Sequence, residues 1–510
     1  MPAAKSAANL SAVIKRARDI MRKDAGLNGD ADRIPQIAWL LFLKAFVDLE
    51  ESHEVTEPGY RPALKAPYRW RDWAADSTTR RSGDALLTFV NGKLLPHLAE
   101  LSGSGAAGDA RETLGQVFSD TRNRMLSGYL LADLVDEVNK ISFASTDDIH
   151  TMAHLYESML REMRDAAGDA GEFYTPRPVI RFMVGRIDPR PGEQVMDPAV
   201  GTGGFLVEAW DHLVNTANAA KQPAHQRARL RGTLRGFEKK PMPFLLGQMN
   251  LLLHGVDDPK ITRGNALTFS AADQRRDGVD VVLTNPPFGG EESASVKGYF
   301  QSDYRTTETS WLFLLSVMER ITKSRSGRAA VVVPNGVLFD KGIGGKIKKK
   351  LMTEFDLHTV VRVPNGTFSP YTLIPTNILF FERGRPTKDV WFYEHPLPEG
   401  RKNYTKTKPL RYEEFAECEA WWGGTARGGR ADSAQAWKVS AEDIAADGYN
   451  LDLHNPHRPD DLAHRPPAEL LAELIDTEQE ILALLEKLQT EMAADATWRF
   501  DTFELANSSS

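Results

Sequence analysis

A single cysteine, Cys418, stands in 510 residues. No internal disulfide can form and no cysteine-based metal site can be built, which suits a reducing compartment. Long apolar runs are also missing. "IAWLLFL" (37–43) near the N-terminus is far short of the roughly 20 residues needed to cross a bilayer. The opening "MPAAKSAANLSAVIKRARDIMRK" lacks the apolar core of a signal peptide. These absences point to a cytoplasmic protein with no membrane partner. A basic surplus is absent too, since the formal charge is −7. A chain that grips nucleic acid unaided carries a basic footprint, so any such role needs a local patch or a partner. The densest patch is "KGIGGKIKKK" (341–350), which equally describes a solvated helix face. There is no internal repeat of fixed period and no zinc-finger-like reading module.

What is present is an ordinary globular composition, 41% hydrophobic and 26% charged, in a length that suits about three or four domains. Residues 1–165 read as a helical N-terminal domain. "RIPQIAWLLFLKAFVDLEE" is a long apolar helix with Pro35 near its start, and "DLVDEVNKI" and "IHTMAHLYESMLREM" space their apolar residues helically. Residues 166–395 alternate short apolar strands with helical segments such as "GGFLVEAWDHLVNTANAA" and "PMPFLLGQMNLLLHG". That alternation predicts an α/β fold with a parallel, doubly wound sheet. The last strands follow one another closely, which predicts an antiparallel member, because a parallel crossover needs roughly a dozen residues or more. Residues 396–465 are polar and read as an irregular connecting segment, with "WWGGTARGGRADS" a loop by composition. Residues 466–510 contain a helix on which Leu471, Leu474, Ile481, Leu485, Leu488 and Met492 share a heptad seam broken by Glu478. Such a seam serves a partner helix or packing on the chain's own body.

Two stretches carry chemistry. "DPAVGTGGF" (197–205) follows a strand and opens a helix, the place where α/β sheets bind ligands. Its glycines either let backbone amides approach a ligand or simply make a turn. The spacing is not G-x-G-x-x-G, and the next acidic residue after a strand, Glu238, lies 37 residues past Gly201. A dinucleotide site places that residue about 20 on, so a ligand with a ribose and no phosphates fits better. The second stretch is "DVVLTNPPFGGEE" (280–292), where a strand runs into Asn285-Pro286-Pro287-Phe288. Asn285 is held extended by the proline after it, and the prolines have fixed φ and no N–H. The turn is rigid and rich in acceptors, which suits a substrate bearing an NH2 group, and Phe288 offers a face for a planar base. The plainer alternative is a turn and nothing more.

Glycine cluster and "NPPF", about 80 residues apart, resemble the amino-methyltransferases that modify DNA adenine with S-adenosylmethionine. With "GEFYTPRPVIRFMV" (171–184) upstream and the helical N-terminus, nearly the whole chain resembles the modification (M) subunit of type I restriction–modification systems. That resemblance implies a Rossmann-like class I methyltransferase sheet, an all-helical N-terminal domain and a C-terminal coiled-coil-type helix. It implies that Glu172, Phe173, Tyr174, Thr175, Pro176 and Arg177 border the methionine end of the cofactor S-adenosylmethionine. Asp197, Gly201, Thr202, Gly203 and Gly204 would wrap its methionine and ribose, and Glu238 would hold the ribose hydroxyls. Asn265, where many relatives carry Asp, would contact its adenine. Asn285, Pro286, Pro287 and Phe288 would be catalytic, with Pro334, Asn335 and Gly336 shaping a target-base pocket and no metal involved. The implied partners are double-stranded DNA, with its target base flipped out, and a separate specificity subunit that chooses the sequence. The implied assembly has two modification subunits per specificity subunit, sometimes with a restriction subunit. "YRWRDW" and "RRSGD" are candidates for phosphate contacts.

Three rivals remain at this level. A methyltransferase acting on cytosine amino groups or on protein glutamine uses the same Asn-Pro-Pro logic. A scaffold subunit with a vestigial site is opposed by the intact motifs. A nicotinamide dehydrogenase is opposed by the glycine spacing.

Overall fold

Strands covered on both faces read as unbroken apolar runs, and the middle of this sheet is made of such runs. The computed structural model describes residues 2–78, 80–102, 110–143, 156, 174–216, 230, 232–256, 260–321, 327–369, 372 and 374–457, and in the terminal stretch 475, 478–479 and 481–486. The chain divides into two units, Met1–His454 and Asn455–Ser510.

The first unit begins with helices: α1 (Pro2–Met21), α2 (Asp30–Thr56), α3 (Trp70–Trp73), α4 (Gly83–Phe89), α5 (Leu95–Ala99), α6 (Ala110–Phe118) and α7 (Gly128–Asn139). Their register is held by buried carboxylates. Asp24 accepts from the amides of Gly26, Leu126 and Ser127. Glu50 accepts from the Ala63 amide and the Tyr60 hydroxyl.

Nine strands follow in one sheet: β1 (Val195–Asp197), β2 (Leu234–Glu238), β3 (Lys260–Arg263), β4 (Val281–Thr284), β5 (Arg328–Pro334), β6 (Phe355–Val363), β7 (Thr376–Arg383), β8 (Asp389–Glu394) and β9 (Ala436–Ser440). Their order is β3-β2-β1-β4-β5-β7-β6-β8-β9. The strands from β3 to β5 are parallel, and β7 runs antiparallel to both β5 and β6, the reversal expected from the short gaps. Successive side chains alternate between two cores. Val281, Leu283, Ala330 and Val332 belong to one, Val282, Ala329, Val331 and Val333 to the other. The first core holds α8 (Arg177–Ile187), α9 (Gly204–Thr216), α10 (Pro241–Leu253) and the N-terminal helices. The second holds α11 (Ala271–Arg276), α12 (Thr309–Arg320), α13 (Asn335–Phe339) and α14 (Ile343–Glu354) against the opposite face.

The stretch 396–465 differs from an irregular connection. It contains α15 (Ala416–Trp422), the edge strand β9 and α16 (Ala441–Ala446). Its aromatics do the anchoring: Trp422 packs 4.8 Å from Phe380 and Trp437 stacks 5.4 Å from Phe392. Those anchors have no period in sequence, so composition alone reads the segment as loop.

In the second unit, the described residues at 475, 478–479 and 481–486 are helical. Ile481 and Leu485 are about half exposed, at 51% and 56%. Leu471, Leu474, Leu488 and Met492 lie outside the described residues. Among the described residues no helix is long and apolar enough to cross a membrane.

Candidate active site

The strand order reverses between β1 and β4, and open α/β sheets bind ligands at that switch point, off the carboxyl ends of the strands. A cavity of about 340 Å³ lies there. It gathers residues far apart in the chain: Thr175, Asp197, Gly201, Thr202, Gly204, Glu238, Asn265, Asn285 and Pro287 all line it.

Its floor is the loop from β1 to α9. Gly201 and Gly203 sit at φ +54° and +81°, conformations that side-chain-bearing residues rarely adopt. A Cβ on Gly203 would stand 3.2 Å from the carbonyl of Gly247 in α10, so loop and helix approach almost backbone to backbone. Asn250, in the same helix, donates to the Thr202 carbonyl at 2.9 Å. Glu238, at the end of β2, accepts from the Gly201 amide at 2.9 Å and the Lys240 amide at 2.8 Å. Burial raises its pKa against the pull of those amides. Asp197, at the end of β1, accepts through Oδ1 from the Ala199 amide at 2.9 Å and the Thr284 hydroxyl at 2.8 Å. Its Oδ2 is buried without a partner. Burial pushes this carboxyl up to about 7, against the hydrogen bonds from Ala199 and Thr284.

The wall opposite is the Asn-Pro-Pro-Phe turn leaving β4. The Asn285 amide nitrogen donates to the Thr175 hydroxyl at 3.0 Å. That leaves Asn285 Oδ1 buried with no protein partner. The start of α12 braces the turn: the Ser310 hydroxyl donates to the Phe288 carbonyl at 3.3 Å, and the Thr309 hydroxyl to the Gly290 carbonyl at 3.0 Å. The Phe288 ring meets Phe368 edge-on, with centroids 5.4 Å apart.

Other expected residues sit differently. Tyr174 is buried, and neither it, Pro176, Arg177, Gly203, Pro286 nor Phe288 lines the cavity itself. The Arg177 guanidinium donates to the Gly204 carbonyl at 3.0 Å, and burial lowers its pKa to about 10 despite Glu208 and Asp211. It therefore braces the glycine loop from behind. Asn265 accepts from the Leu267 amide and donates to Glu292 at 3.1 Å, which leaves one acceptor position and one donor hydrogen for anything in the cavity. Glu172 and Phe173 lie outside the described residues.

Several contributors escaped the sequence reading. Gln248 and Asn250 are the polar members of an otherwise apolar helix, which is the sequence signal of a buried polar role. Thr284 and Phe368 carry no local signal; only folding brings them to Asp197 and Phe288.

The expected basic patches are mostly spent internally. Arg80 pairs with Asp136 at 2.6 Å, Arg71 with Glu51 at 3.2 Å, and Lys341 with Asp447 at 3.1 Å. Lys348 is buried, donates to the Leu338 carbonyl, and is lowered to about 8 by that burial.

Two families match the chain. The one described as N-6 DNA Methylase matches residues 147–464, and the HsdM N-terminal domain matches residues 10–138. The methylase subunit of the type I restriction enzyme EcoEI from Escherichia coli is 46% identical, over 95% of this chain and 98% of that protein. The EcoKI methylase subunit of Escherichia coli K12 is 28% identical over 82% of this chain and 78% of its own length. A crystal structure assigned to a type I modification subunit from Vibrio vulnificus YJ016 superimposes with a TM-score of 0.79 at 47% identity, covering 90% of this chain and 99% of that one. A chain from a structure concerned with assembly and conformational transition of a type I system superimposes with a TM-score of 0.78 at 39% identity, over 94% and 97% of the two chains.

Proposed function

The chain belongs to the family of type I restriction–modification methylase subunits, which are N-6 DNA methylases, and from that premise we propose that the cavity seats S-adenosylmethionine beside a pocket for an adenine flipped out of double-stranded DNA. Several features support the fit. The cavity has the size of a small-molecule site, roughly 300–1,000 Å³ for most. The unpartnered Asp197 Oδ2 suits the ammonium at the methionine end. Glu238 keeps lone pairs for ribose hydroxyls after serving two amides. Thr175, the glycine loop and Asn265 complete the holding set.

When bound, S-adenosylmethionine supplies an electrophilic methyl group on a sulfonium sulfur. The chain's own task is to prepare the amino group that receives it. The adenine nitrogen is a weak nucleophile because its lone pair is delocalised into the ring. Asn285 Oδ1 accepts one amino hydrogen and the Pro286 carbonyl a second, which favours a tetrahedral, more nucleophilic nitrogen. Thr175 and the two prolines hold these acceptors in place before the base arrives, so the gain comes from positioning and fixed dipoles. Stacking on Phe288, worth roughly 1–3 kcal/mol, offsets part of the few kcal/mol needed to unstack the base. The observation that carries this reading is Asn285 Oδ1, a buried acceptor with no protein partner at the edge of the cavity.

Target choice falls to a specificity subunit, with two modification subunits per specificity subunit and a restriction subunit joining in some assemblies, in the cytoplasm. Support comes from the acidic balance of −7 and the internally paired arginines. The exposed Ile475, Ile481, Leu482, Leu484 and Leu485 of the terminal helix give a partner something to bind.

Long-read sequencing that detects modified bases tests the whole reading. Cells would express this chain with and without the neighbouring candidate specificity gene, with Asn285→Ala as control. N6-methyladenine at a two-part motif, only with both genes, is expected. Methylcytosine, methylation by this chain alone, or no methylated base in either case would each overturn part or all of it.

A further inference from the structure

Large hydrophobic side chains exposed in the described part of 174–454 are few: Tyr299 at 42%, Phe339 at 54% and Ile374 at 50%. Single exposed apolar residues are common on any surface. Here their placement is not scattered. Tyr299 lies in the connection after β4, Phe339 ends the helix after β5, and Ile374 comes just before β7, which runs antiparallel. All three therefore belong to the carboxyl edge of the parallel strands, the edge that carries Asn285.

Register shows how Phe339 and Ile374 stand to the turn. Thr284, the last residue of β4, pairs with Val331, and β5 continues three residues to Pro334, which pairs with Thr376. At roughly 3.3 Å per residue, β5 and β7 rise about 10 Å past the end of β4. Phe339 and Ile374 cap that rise, one and two strands away from the Asn-Pro-Pro turn. Their footing is rigid. The Asn335 amide donates to the Pro375 carbonyl at 2.9 Å, Asn377 donates to Asn335 Oδ1 at 3.1 Å, and Asn335 donates to Asp452 at 3.3 Å. Arg362 donates to Asp452 at 2.9 Å, and the buried Lys348 ammonium holds the carbonyl just before Phe339. Exposed Lys346 and Lys349 follow in the next helix.

We propose that Phe339 and Ile374 form an apolar wedge that packs against the base pairs flanking the target and holds the duplex open while the adenine is extruded. The inference rests on the DNA-adenine reading above. Apolar side chains on a rigid support are what proteins insert at unstacked base steps, and neighbouring lysines supply the charge a phosphate backbone requires.

The test uses the full chain assembled with its specificity subunit and two versions of one target duplex. In one the target adenine faces thymine; in the other it faces an abasic site, so the base is already unpaired. The wedge predicts that Phe339→Ser combined with Ile374→Ser lowers kcat/KM about tenfold or more on the paired duplex. On the abasic-opposed duplex it predicts rates within about twofold of the parent, since the opening is already made. Phe339→Leu, which keeps apolar bulk, should recover most of the loss. Equal loss on both duplexes, no loss on either, or failure to assemble with the specificity subunit would each overturn the wedge, the last by making this surface a protein interface. A parent complex that methylates neither duplex at adenine would instead overturn the underlying function.

Discussion

Two loops leave neighbouring strands of the same sheet and meet across one cavity, yet they are built from opposite materials. The loop after β1 is made of glycine. Its backbone must turn through positive φ and lie against the backbone of α10, so any side chain at Gly203 is strained and close to Gly247. The turn after β4 is made of proline. It gives up amide donors for stiffness and leaves the Asn285 oxygen without a protein partner at the cavity. In the proposed function the first holds the cofactor and the second acts on the base. The contrast implies that binding and catalysis can be damaged separately.

The largest expected effect breaks the second loop alone. Asn285→Ala should lower methyl transfer roughly 10²–10³-fold, the usual cost of removing a preorganised polar group from a reacting centre. Calorimetric affinity for S-adenosylmethionine should stay near the parent value, and a matching loss of affinity would show that the two loops are not separable. Next comes the first loop. Gly203→Asp at φ +81° carries backbone strain of order 1–3 kcal/mol. Cofactor affinity should fall roughly tenfold to a hundredfold, and a normal titration would remove the glycine argument. Phe288→Ala should cost less, about tenfold in single-turnover rate on a paired duplex. Its effect should be smaller on a target that is already unpaired, and the same deficit on both would make the ring merely structural.

The smallest effect sharpens the contrast by pH. The Asp197 carboxyl stands at about 7 in the fold, above its ordinary value of about 3.9. Its protonated form therefore contributes stability that is complete below about pH 4 and lost as pH rises through about 7. A cationic ligand favours the ionised form, so binding should release a proton and tighten as pH rises toward 7. Calorimetry in two buffers of different ionisation enthalpy reads that release, and Asp197→Asn should abolish it. Binding without proton release near neutrality would separate Asp197 from the ligand's ammonium.

Much of the sheet was legible because its strands are either continuous apolar runs or end in motifs with unusual residues. "RAAVVVP" and "DVVLTNPPF" sit where they were expected, and the antiparallel member proved to be β7. The segment 396–465 was not legible in the same way. Trp422 and Trp437 are anchored by Phe380 and Phe392, residues of distant strands, and nothing in their own neighbourhood announces a helix or an edge strand. The same holds at the site. Asp197, Glu238 and Asn285 carry recognisable chemistry in recognisable places, whereas Thr284, Phe368, Gly247 and Asn250 have roles that exist only through contact.

The order of residues thus settled what each loop could be. Glycine allows close approach, proline removes donors, and an amide between them and a strand supplies an acceptor. Those are properties of single residues and their chain neighbours. Only the tertiary structure decided which groups remain unsatisfied. Thr175 occupies the Asn285 nitrogen and leaves its oxygen bare, Thr284 occupies one oxygen of Asp197 and leaves the other, and internal carboxylates consume the arginines that had looked free. Whether a polar atom is spent or available depends on what folding brings within about 3 Å of it, and that is a property of the assembled sheet.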